Sequence, residues 1–201
     1  MRKSLLLYAI SDGDVRAVAA AIRGGATMIQ LRAKHRADKE LLALARSVKQ
    51  VTDQHSVPLI INDRADIANK IDAAGAHLGP SDGDLCAARR LLGPGKILGA
   101  TARSLDQALA AQAAGADYLG CGAVFGTRTK ADAAPMSLIL LREICQSVSI
   151  PVVAIGGIDR MNIAQLKDCG MAGFAVASGV FGAEDVEGAA KRLREAAEHV
   201  L

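Results

Sequence analysis

The stretch "SLDQALAAQAAGADYLGCGA", residues 104–123, contains the unit from which the fold is built. Its first half places apolar residues at helical spacing, and the run from Asp117 onward is typical of a short buried strand. Gly115 stands between the two halves, where the end of a helix favours a left-handed residue. The stretch therefore predicts a helix that is followed, after a glycine, by a strand.

The same unit recurs along the chain. Gly25, Gly75 and Gly170 precede other apolar runs, and we expect each to be a left-handed residue at a helix end. Eight strands are predicted, at residues 4–11, 28–34, 58–63, 76–80, 96–101, 117–123, 151–157 and 173–179. Apolar strands that alternate with helices indicate a parallel sheet covered by helices on its outer face.

Eight such units in 201 residues predict an α/β protein, a (β/α)8 TIM barrel in a single compact domain spanning residues 1–201. No Ser/Pro-rich linker or low-complexity tract marks a boundary. The alternative is an open, doubly wound sheet, which requires a glycine-rich fingerprint after the first strand. The segment "ISDGDVRA", residues 10–17, has no GxGxxG, so the barrel is favoured.

The composition of the chain limits the classes of partner and the cellular compartment that we expect. A net charge of +3, no Trp, two Tyr and three Phe argue against a nucleic-acid partner. No apolar run approaches the roughly 18–20 residues of a membrane span. The apolar run near the N-terminus meets Asp12 and Asp14, so we interpret it as a first strand rather than a signal peptide. Four cysteines without CxxC or metal spacing are typical of buried free thiols, and we expect a cytoplasmic protein.

Polar residues at the ends of the predicted strands indicate the site, because barrels of this kind carry function there. Gln30, Arg32 and Lys34 in "QLRAK" are spaced by two and are expected to face the barrel mouth. Burying two cations and an amide is unfavourable unless an anion pairs with them. The pattern therefore indicates an anionic ligand, and the remaining alternative is a solvated strand edge with Lys34 in the loop.

Acidic residues follow the next two strands. Asn62 and Asp63 end strand three, and Asp82 lies in the loop after strand four. Two carboxylates from adjacent strand ends can hold Mg²⁺, which typically takes one or two carboxylates together with substrate phosphates. The alternative is helix capping, for which Asp66, Asp82 and Asp84 are all suitable.

The later strand ends carry hydroxyls, cations and glycines. The residues are Thr101, Thr127, Arg128, Thr129, Lys130, Gly156, Gly157, Ser178 and Gly179. Hydroxyls and an ammonium group suit phosphate oxygens, and glycines let backbone N–H groups approach an anion, although tight turns also use glycine. One anion site is predicted near the metal site and a second at the loops after strands seven and eight. Two separated anion sites indicate two phosphorylated substrates.

The segments "QLRAK" (30–34), "INDR" (61–64), "HLGPSD" (77–82), "GADYLGCGAVFGTRTK" (115–130) and "VVAIGGI" (152–158), in this order and at these spacings, closely resemble the thiamine phosphate synthase family. The resemblance covers strands two to eight. It implies a transferase that joins 4-amino-5-hydroxymethyl-2-methylpyrimidine diphosphate to 4-methyl-5-(2-hydroxyethyl)thiazole phosphate, or its carboxylated form. The products are thiamine phosphate and pyrophosphate, formed by a dissociative substitution with Mg²⁺ as cofactor.

Positions that match the family imply roles for individual residues. The pyrimidine diphosphate would contact Gln30, Arg32, Lys34 and Asn62, Mg²⁺ would bind Asp63 and Asp82, the leaving group would meet Thr101 and Lys130, and the thiazole phosphate would meet Thr127, Thr129, Gly157, Ala177 and Ser178. Arg32, Thr101 and Lys130 would be the catalytic residues. The sequence departs from the family pattern at Pro80, Thr101 and Gly126, and none of these changes removes a charged group.

Three rival functions are open to a barrel of this kind. A thiazole tautomerase resembles this chain in "FAVASGVF", residues 174–181, but such proteins carry a histidine at the position of Ala123. A non-catalytic barrel that binds thiamine precursors would not need Asp63, Asp82 and Lys130 together. A sugar-phosphate isomerase would need a clear base at a strand end. His77 is expected in the core, and His35, His55 and His199 are expected on the surface. A homo-oligomer is compatible with the sequence.

Overall fold

The strands of the chain pair in parallel, each with its neighbours in sequence, and β1 also pairs with β8. The computed structural model describes residues 1–126 and 135–201. The strands are β1 (Leu7–Ser11), β2 (Met28–Leu31), β3 (Leu59–Asn62), β4 (Gly75–Leu78), β5 (Ile97–Ala102), β6 (Tyr118–Gly122), β7 (Val152–Ile155) and β8 (Gly173–Val176). This closed barrel confirms the predicted fold class and excludes the open sheet.

Helices follow the strands and cover the outer face of the barrel. They are α1 (Val15–Arg23), α2 (Asp38–Gln54), α3 (Ala65–Lys70), α4 (Leu85–Leu92), α5 (Leu105–Ala113), α6 (Leu138–Ser147), α7 (Ser178–Phe181) and α8 (Val186–Val200), with 3₁₀ helices at Arg2–Leu5 and Ile163–Leu166. Short polar side chains begin several of them. Asp14, Asp84 and Ser104 each accept hydrogen bonds from backbone N–H groups of the first helical turn.

Side chains alternate between two cores along each strand. In β2, Ile29 and Leu31 pack beneath the helices, whereas Met28 lies inside the barrel, as the alternation predicts. The buried apolar side chains inside the barrel are Leu5, Tyr8, Ile10, Met28, Ile60, Tyr118, Val153 and Ala175. The inner core therefore contains two tyrosines, whose hydroxyl groups need partners.

Several of the predicted strands are longer than the strands in the structure. The first strand begins at Leu7 rather than residue 4, because Arg2–Leu5 form a 3₁₀ helix from which Leu5 enters the inner core. β2 ends at Leu31, so Lys34 lies in the following loop and is exposed. An apolar run does not distinguish a strand from a segment that covers the end of a barrel.

The glycines before the strands behave as predicted in three cases and not in the fourth. Gly25, Gly115 and Gly170 have φ values of 100°, 90° and 82°. The prediction for Gly75 is wrong, because Gly75 begins β4, and Asp72, with φ of 54°, is the left-handed residue after α3. Gly75 is required for a different reason, since a β-carbon there would overlap the carbonyl of Ile97 in β5.

The cysteines, histidines and helices test the remaining expectations from composition. Four cysteines are free, and Cys86 is exposed, so the expectation of buried thiols is wrong at that position. His77 is buried and His35, His55 and His199 are exposed, which confirms their predicted placement. Among the helices of residues 1–126 and 135–201, none combines the length and the hydropathy needed to cross a lipid bilayer.

Candidate active site

The barrel brings Asp63 and Asp82 together, as the metal hypothesis requires. Asp63 directly follows β3 with φ of 64°, and its backbone N–H donates to the carbonyl of His77 in β4, at 2.8 Å. The Asp82 carboxylate accepts from the backbone N–H of Gly79, at 2.7 Å. These bonds hold the two side chains within hydrogen-bonding range of each other.

Burial and the neighbouring carboxylate control the charge of Asp63. Burial raises its pKa to about 6, and the hydrogen bond and negative charge of Asp82 act in the same direction. The positive charges of Lys34 and Arg32 oppose this rise in pKa. Two partly buried carboxylates and two cations therefore lie close together, and a cation between the carboxylates would relieve their repulsion.

The acidic pair suits a magnesium ion. Within the described part of the chain, no group of three or more histidine, cysteine, aspartate or glutamate side chains is placed to hold a metal. A pair is sufficient for Mg²⁺, which takes its other oxygen ligands from water and substrate phosphates. The capping alternative is correct for Asp84, which caps α4, whereas Asp82 bonds Gly79 and Asp66 pairs with Arg64.

A cavity of about 240 Å³ opens between the loops that follow β2 and β3. Its lining residues are Leu31, Ala33, Lys34, His35, Arg36, Leu41, Asn62, Asp63 and Arg64. Arg32 is partly buried, and its backbone N–H donates to the carbonyl of Ser11 at 2.8 Å. The cavity therefore joins predicted diphosphate contacts from two loops, and its rim is cationic.

Thr101 and Gln30 are the two ends of a hydrogen-bonded chain inside the barrel. Thr101 Oγ1 lies 3.0 Å from His77 Nε2, and His77 Nδ1 lies 3.0 Å from the hydroxyl of Tyr118. The Tyr118 and Tyr8 hydroxyls are 2.8 Å apart, and Gln30 Nε2 donates to Tyr8 at 2.6 Å. The structure thus connects two predicted substrate residues from β2 and β5.

Sequence reasoning missed the middle of this chain. Tyr8 and Tyr118 are the only tyrosines in the protein, and each lies in an apolar strand. The available signal was the alternation of side chains along a strand, because residues two apart face the same side of the sheet. Tyr8 therefore faces the barrel interior with Ile10, and Tyr118 faces it with Gly120. His77 and Thr101 form a histidine–hydroxyl pair across the neighbouring strands β4 and β5.

The loops after β6, β7 and β8 touch through their backbones. A β-carbon on Gly157, which has φ of 65°, would lie 2.5 Å from the carbonyl oxygen of Gly126. A β-carbon on Gly179 would lie 2.6 Å from the carbonyl oxygen of Ile158. Ala177 immediately precedes α7 and Ser178 begins it. The predicted phosphate residues Gly157, Ala177 and Ser178 therefore lie on adjoining loops.

Thr127 and Thr129, which are also predicted to meet the thiazole phosphate, lie outside the described residues, as do Arg128 and Lys130.

The carboxyl ends of the strands in this parallel barrel carry an acidic pair, a cationic cavity and close-packed glycine loops. These features define the class of barrels that bind phosphorylated small molecules. Comparison with known proteins narrows this class. The family model described as thiamine monophosphate synthase matches residues 7–180. The chain belongs to this family, which confirms the resemblance seen in its motifs.

Individual relatives match over almost the full length. The chain is 43% identical over 194 residues to thiamine-phosphate synthase of Clostridium tetani, covering 93% of each sequence. It is also 43% identical over 205 residues to thiamine-phosphate synthase of Pyrococcus furiosus, covering 100% of this chain and 99% of that protein. The solved structure of thiamine phosphate pyrophosphorylase from Pyrococcus furiosus superposes with a TM-score of 0.93 at 42% identity, covering 100% of this chain and 98% of the other.

Proposed function

We propose that this protein is a thiamine-phosphate synthase, a transferase that joins 4-amino-5-hydroxymethyl-2-methylpyrimidine diphosphate to 4-methyl-5-(2-hydroxyethyl)thiazole phosphate or its carboxylated form. The observation that carries the proposal is the contact of Asp63 with Asp82 beside Lys34 and Arg32, at the carboxyl ends of the strands. Relatives with this printed name, at 43% identity along the chain, support it.

The diphosphate half of the substrate fits the cavity between the loops after β2 and β3. Arg32 and Lys34 supply positive charge for its phosphate oxygens, and Asn62 lines the same cavity. Asp63 and Asp82 would hold Mg²⁺. When bound, the ion supplies charge neutralisation for the pyrophosphate leaving group.

The reaction requires leaving-group stabilisation more than acid–base chemistry. The bond between the pyrimidine methylene carbon and the diphosphate oxygen breaks, and the electron pair leaves with pyrophosphate. The thiazole nitrogen then forms a bond to the same carbon. The cations of this chain stabilise the developing negative charge, and the proposed roles of Arg32, Thr101 and Lys130 are to contact the departing group.

The thiazole phosphate is assigned to the other side of the barrel mouth. Gly157, Ala177 and Ser178 lie on the adjoining loops after β7 and β8, where glycine lets backbone N–H groups approach phosphate oxygens. Thr127 and Thr129, which follow β6 in the sequence, are proposed to complete this site. Gln30 is proposed to contact the pyrimidine.

The proposal has consequences for the rest of the molecule. Residues 1–201 act as one domain, supported by the membership of all eight strands in one barrel. The partners are the two small-molecule substrates, without a nucleic acid or a membrane, and a homo-oligomer is compatible with this chemistry. Free thiols support a reducing compartment, and we assign the protein to the cytoplasm.

The test is to mix the purified protein with Mg²⁺, the pyrimidine diphosphate and the thiazole phosphate, and to measure thiamine phosphate. We expect product from the wild type and at least about a tenfold loss of kcat in Asp63→Ala and Lys130→Ala, since each loses charge that stabilises the leaving group. Asp84→Ala is the matched control, because Asp84 caps α4 and pairs with Arg90 at 4.0 Å, and its kcat should remain close to the wild-type value.

An absence of product, with tight binding of either substrate still detectable, would overturn the proposal in favour of a binding barrel or a tautomerase. An equal loss in Asp84→Ala and Asp63→Ala would remove the metal assignment.

A further inference from the structure

Five side chains form one continuous hydrogen-bonded chain across the barrel interior, which we call the barrel-core chain. Its members, in order, are Gln30, Tyr8, Tyr118, His77 and Thr101. Gln30, Tyr8, Tyr118 and His77 are all buried, whereas Thr101 is partly buried at the carboxyl end of β5. The chain therefore leads from a closed interior to the barrel mouth.

Every hydroxyl in the buried part of the chain has a proton that needs an acceptor. Burial raises the pKa of Tyr8 and of Tyr118 well above the usual range for tyrosine, so both remain protonated. Among the described buried side chains, no nitrogen or oxygen atom lacks a hydrogen-bond partner. The protons must therefore be arranged in one consistent order.

Gln30 determines that order. The nitrogen of its amide, Nε2, faces Tyr8, and an amide nitrogen only donates. Tyr8 accepts this bond and donates its own proton to Tyr118. Tyr118 in turn accepts from Tyr8 and donates to His77 Nδ1. The opposite order would leave the Tyr8 proton facing a donor inside a fully buried site.

The order at the tyrosines determines the tautomer of His77. Because Nδ1 accepts from Tyr118, the proton of the neutral ring lies on Nε2, from which it is donated to Thr101 Oγ1. Thr101 therefore accepts from inside the barrel, and its own hydroxyl proton remains for an acceptor outside the chain.

Resting on the proposed function, we propose that His77 is a positioning residue that, held by Tyr118 as the neutral Nε2–H tautomer, orients the Thr101 hydroxyl as a hydrogen-bond donor toward the diphosphate of the substrate. His77 acts through Thr101. A donor that is already oriented needs no reorganisation when negative charge develops on the leaving group.

Two glycines in neighbouring strands leave room for the side chains of His77 and Tyr118. A β-carbon on Gly99 in β5 would overlap the ring of Tyr118 and lie 2.5 Å from His77 Nδ1. A β-carbon on Gly120 in β6 would lie 3.2 Å from His77 Cε1. Two strands therefore have glycine where the histidine and the tyrosine occupy the space between them.

The first experiment reads the tautomer directly and needs no catalysis. The full chain is labelled with ¹⁵N-histidine, and the two ring nitrogens of His77 are observed by NMR at neutral pH without substrate. His77→Gln identifies the signals among those of the four histidines. We expect a protonated Nε2 and an unprotonated Nδ1. A protonated Nδ1, in either the other tautomer or an imidazolium, would overturn the proposal.

The second experiment compares two variants that each remove one buried hydroxyl from the same cluster. Tyr118→Phe removes the donor to His77, whereas Tyr8→Phe leaves that donor in place. We expect Tyr118→Phe to give mixed tautomers of His77 and about a tenfold lower kcat with little change in KM, because one donor becomes disordered. Tyr8→Phe should keep the tautomer and show a smaller loss, although urea unfolding should show similar destabilisation of both. Equal losses of kcat in the two variants would overturn the positioning role.

A double-variant comparison tests whether His77 acts through Thr101. Thr101→Val removes the hydroxyl that the chain orients, so adding Tyr118→Phe to it should cause no further loss of kcat. Independent, multiplicative losses would contradict the proposal. If the wild type makes no thiamine phosphate, the proposed function fails on its own, and the NMR measurement still decides the orientation of the chain.

Discussion

At the scale of the residue, Asp63 is held where an isolated carboxylate is unfavourable. Its φ of 64° lies in the left-handed region, which aspartate and asparagine tolerate better than most side chains. Its partner Asp82 adds a second negative charge at hydrogen-bonding range. Strain and repulsion of this kind persist where the surrounding structure imposes them, and they occur commonly at functional sites.

The first prediction follows from this repulsion. The pKa of Asp63 is raised from 3.8 to about 6, so the folded protein binds the proton more tightly than the unfolded chain. The stability contributed by this proton is fully present below pH 3.8 and is lost as the pH rises through 6. Without metal at pH 7, Asp63→Asn should therefore be more stable than the wild type by roughly 1 kcal/mol, or about 2–4 °C in Tm.

Thermal unfolding in EDTA between pH 4 and pH 8 measures this effect. Asp66→Asn is the matched control, because a hydrogen bond from Arg64 lowers the pKa of Asp66, and its replacement should reduce stability at pH 7. Added Mg²⁺ should stabilise the wild type and not Asp63→Asn. A less stable Asp63→Asn protein at pH 7 would show that the carboxylate pair is not repulsive.

At the scale of the element, Arg64 joins the beginnings of two helices. Its guanidinium group donates to Asp66 in the first turn of α3, with Nε–Oδ1 and Nη2–Oδ2 distances of 2.8 Å. It also pairs with Asp38, the first residue of α2. The loops that end at these helices carry Lys34 and Asp63, so the arginine fixes the two walls of the cavity relative to each other.

The second prediction concerns this pairing. Arg64→Ala should raise KM for the pyrimidine diphosphate about five- to tenfold with a smaller change in kcat, because the cavity walls lose their relative position. Steady-state kinetics measures the change. Arg23→Ala, which breaks an exposed pair with Glu187 at 2.8 Å, should leave KM unchanged. An unchanged KM in Arg64→Ala would mean that packing alone holds the loops.

At the scale of the whole molecule, the barrel closes where β8 meets the start of the chain. A β-carbon on Gly173, the first residue of β8, would overlap the carbonyl of Leu5. The overlapping atoms belong to the backbone and cannot move aside as a flexible side chain can. Closure therefore depends on the absence of a side chain at one position.

The third prediction tests closure. Gly173→Ala should lower the free energy of unfolding by about 3 kcal/mol or more, because the first segment of the chain must be displaced. Gly95→Ala is the control, since nothing lies within 4 Å of a β-carbon there, and it should unfold near the wild-type midpoint. Urea unfolding measures both, and equal midpoints would show that the closure tolerates a methyl group.

The repeated helix–glycine–strand unit predicted the closed barrel, because periodicity reports burial on each face of an element. It also placed Asp63 and Asp82 at neighbouring strand ends, where they meet. The strand phase of Tyr8 and Tyr118 was enough to place both side chains inside the barrel, but their hydrogen bonds could not be predicted. Gln30 and Tyr8 are 22 residues apart in sequence, His77 and Tyr118 are 41 apart, and both contacts depend on register across several strands.

The two tyrosines have a practical consequence for anyone who studies this protein by optical spectroscopy. The chain has no tryptophan, and both of its tyrosines lie fully buried in the inner core with their hydroxyls 2.8 Å apart. Absorbance near 280 nm and tyrosine emission therefore originate at the centre of the barrel, without any contribution from the surface. The protein therefore contains an intrinsic optical probe, whose two tyrosines are hydrogen-bonded to Gln30 and His77.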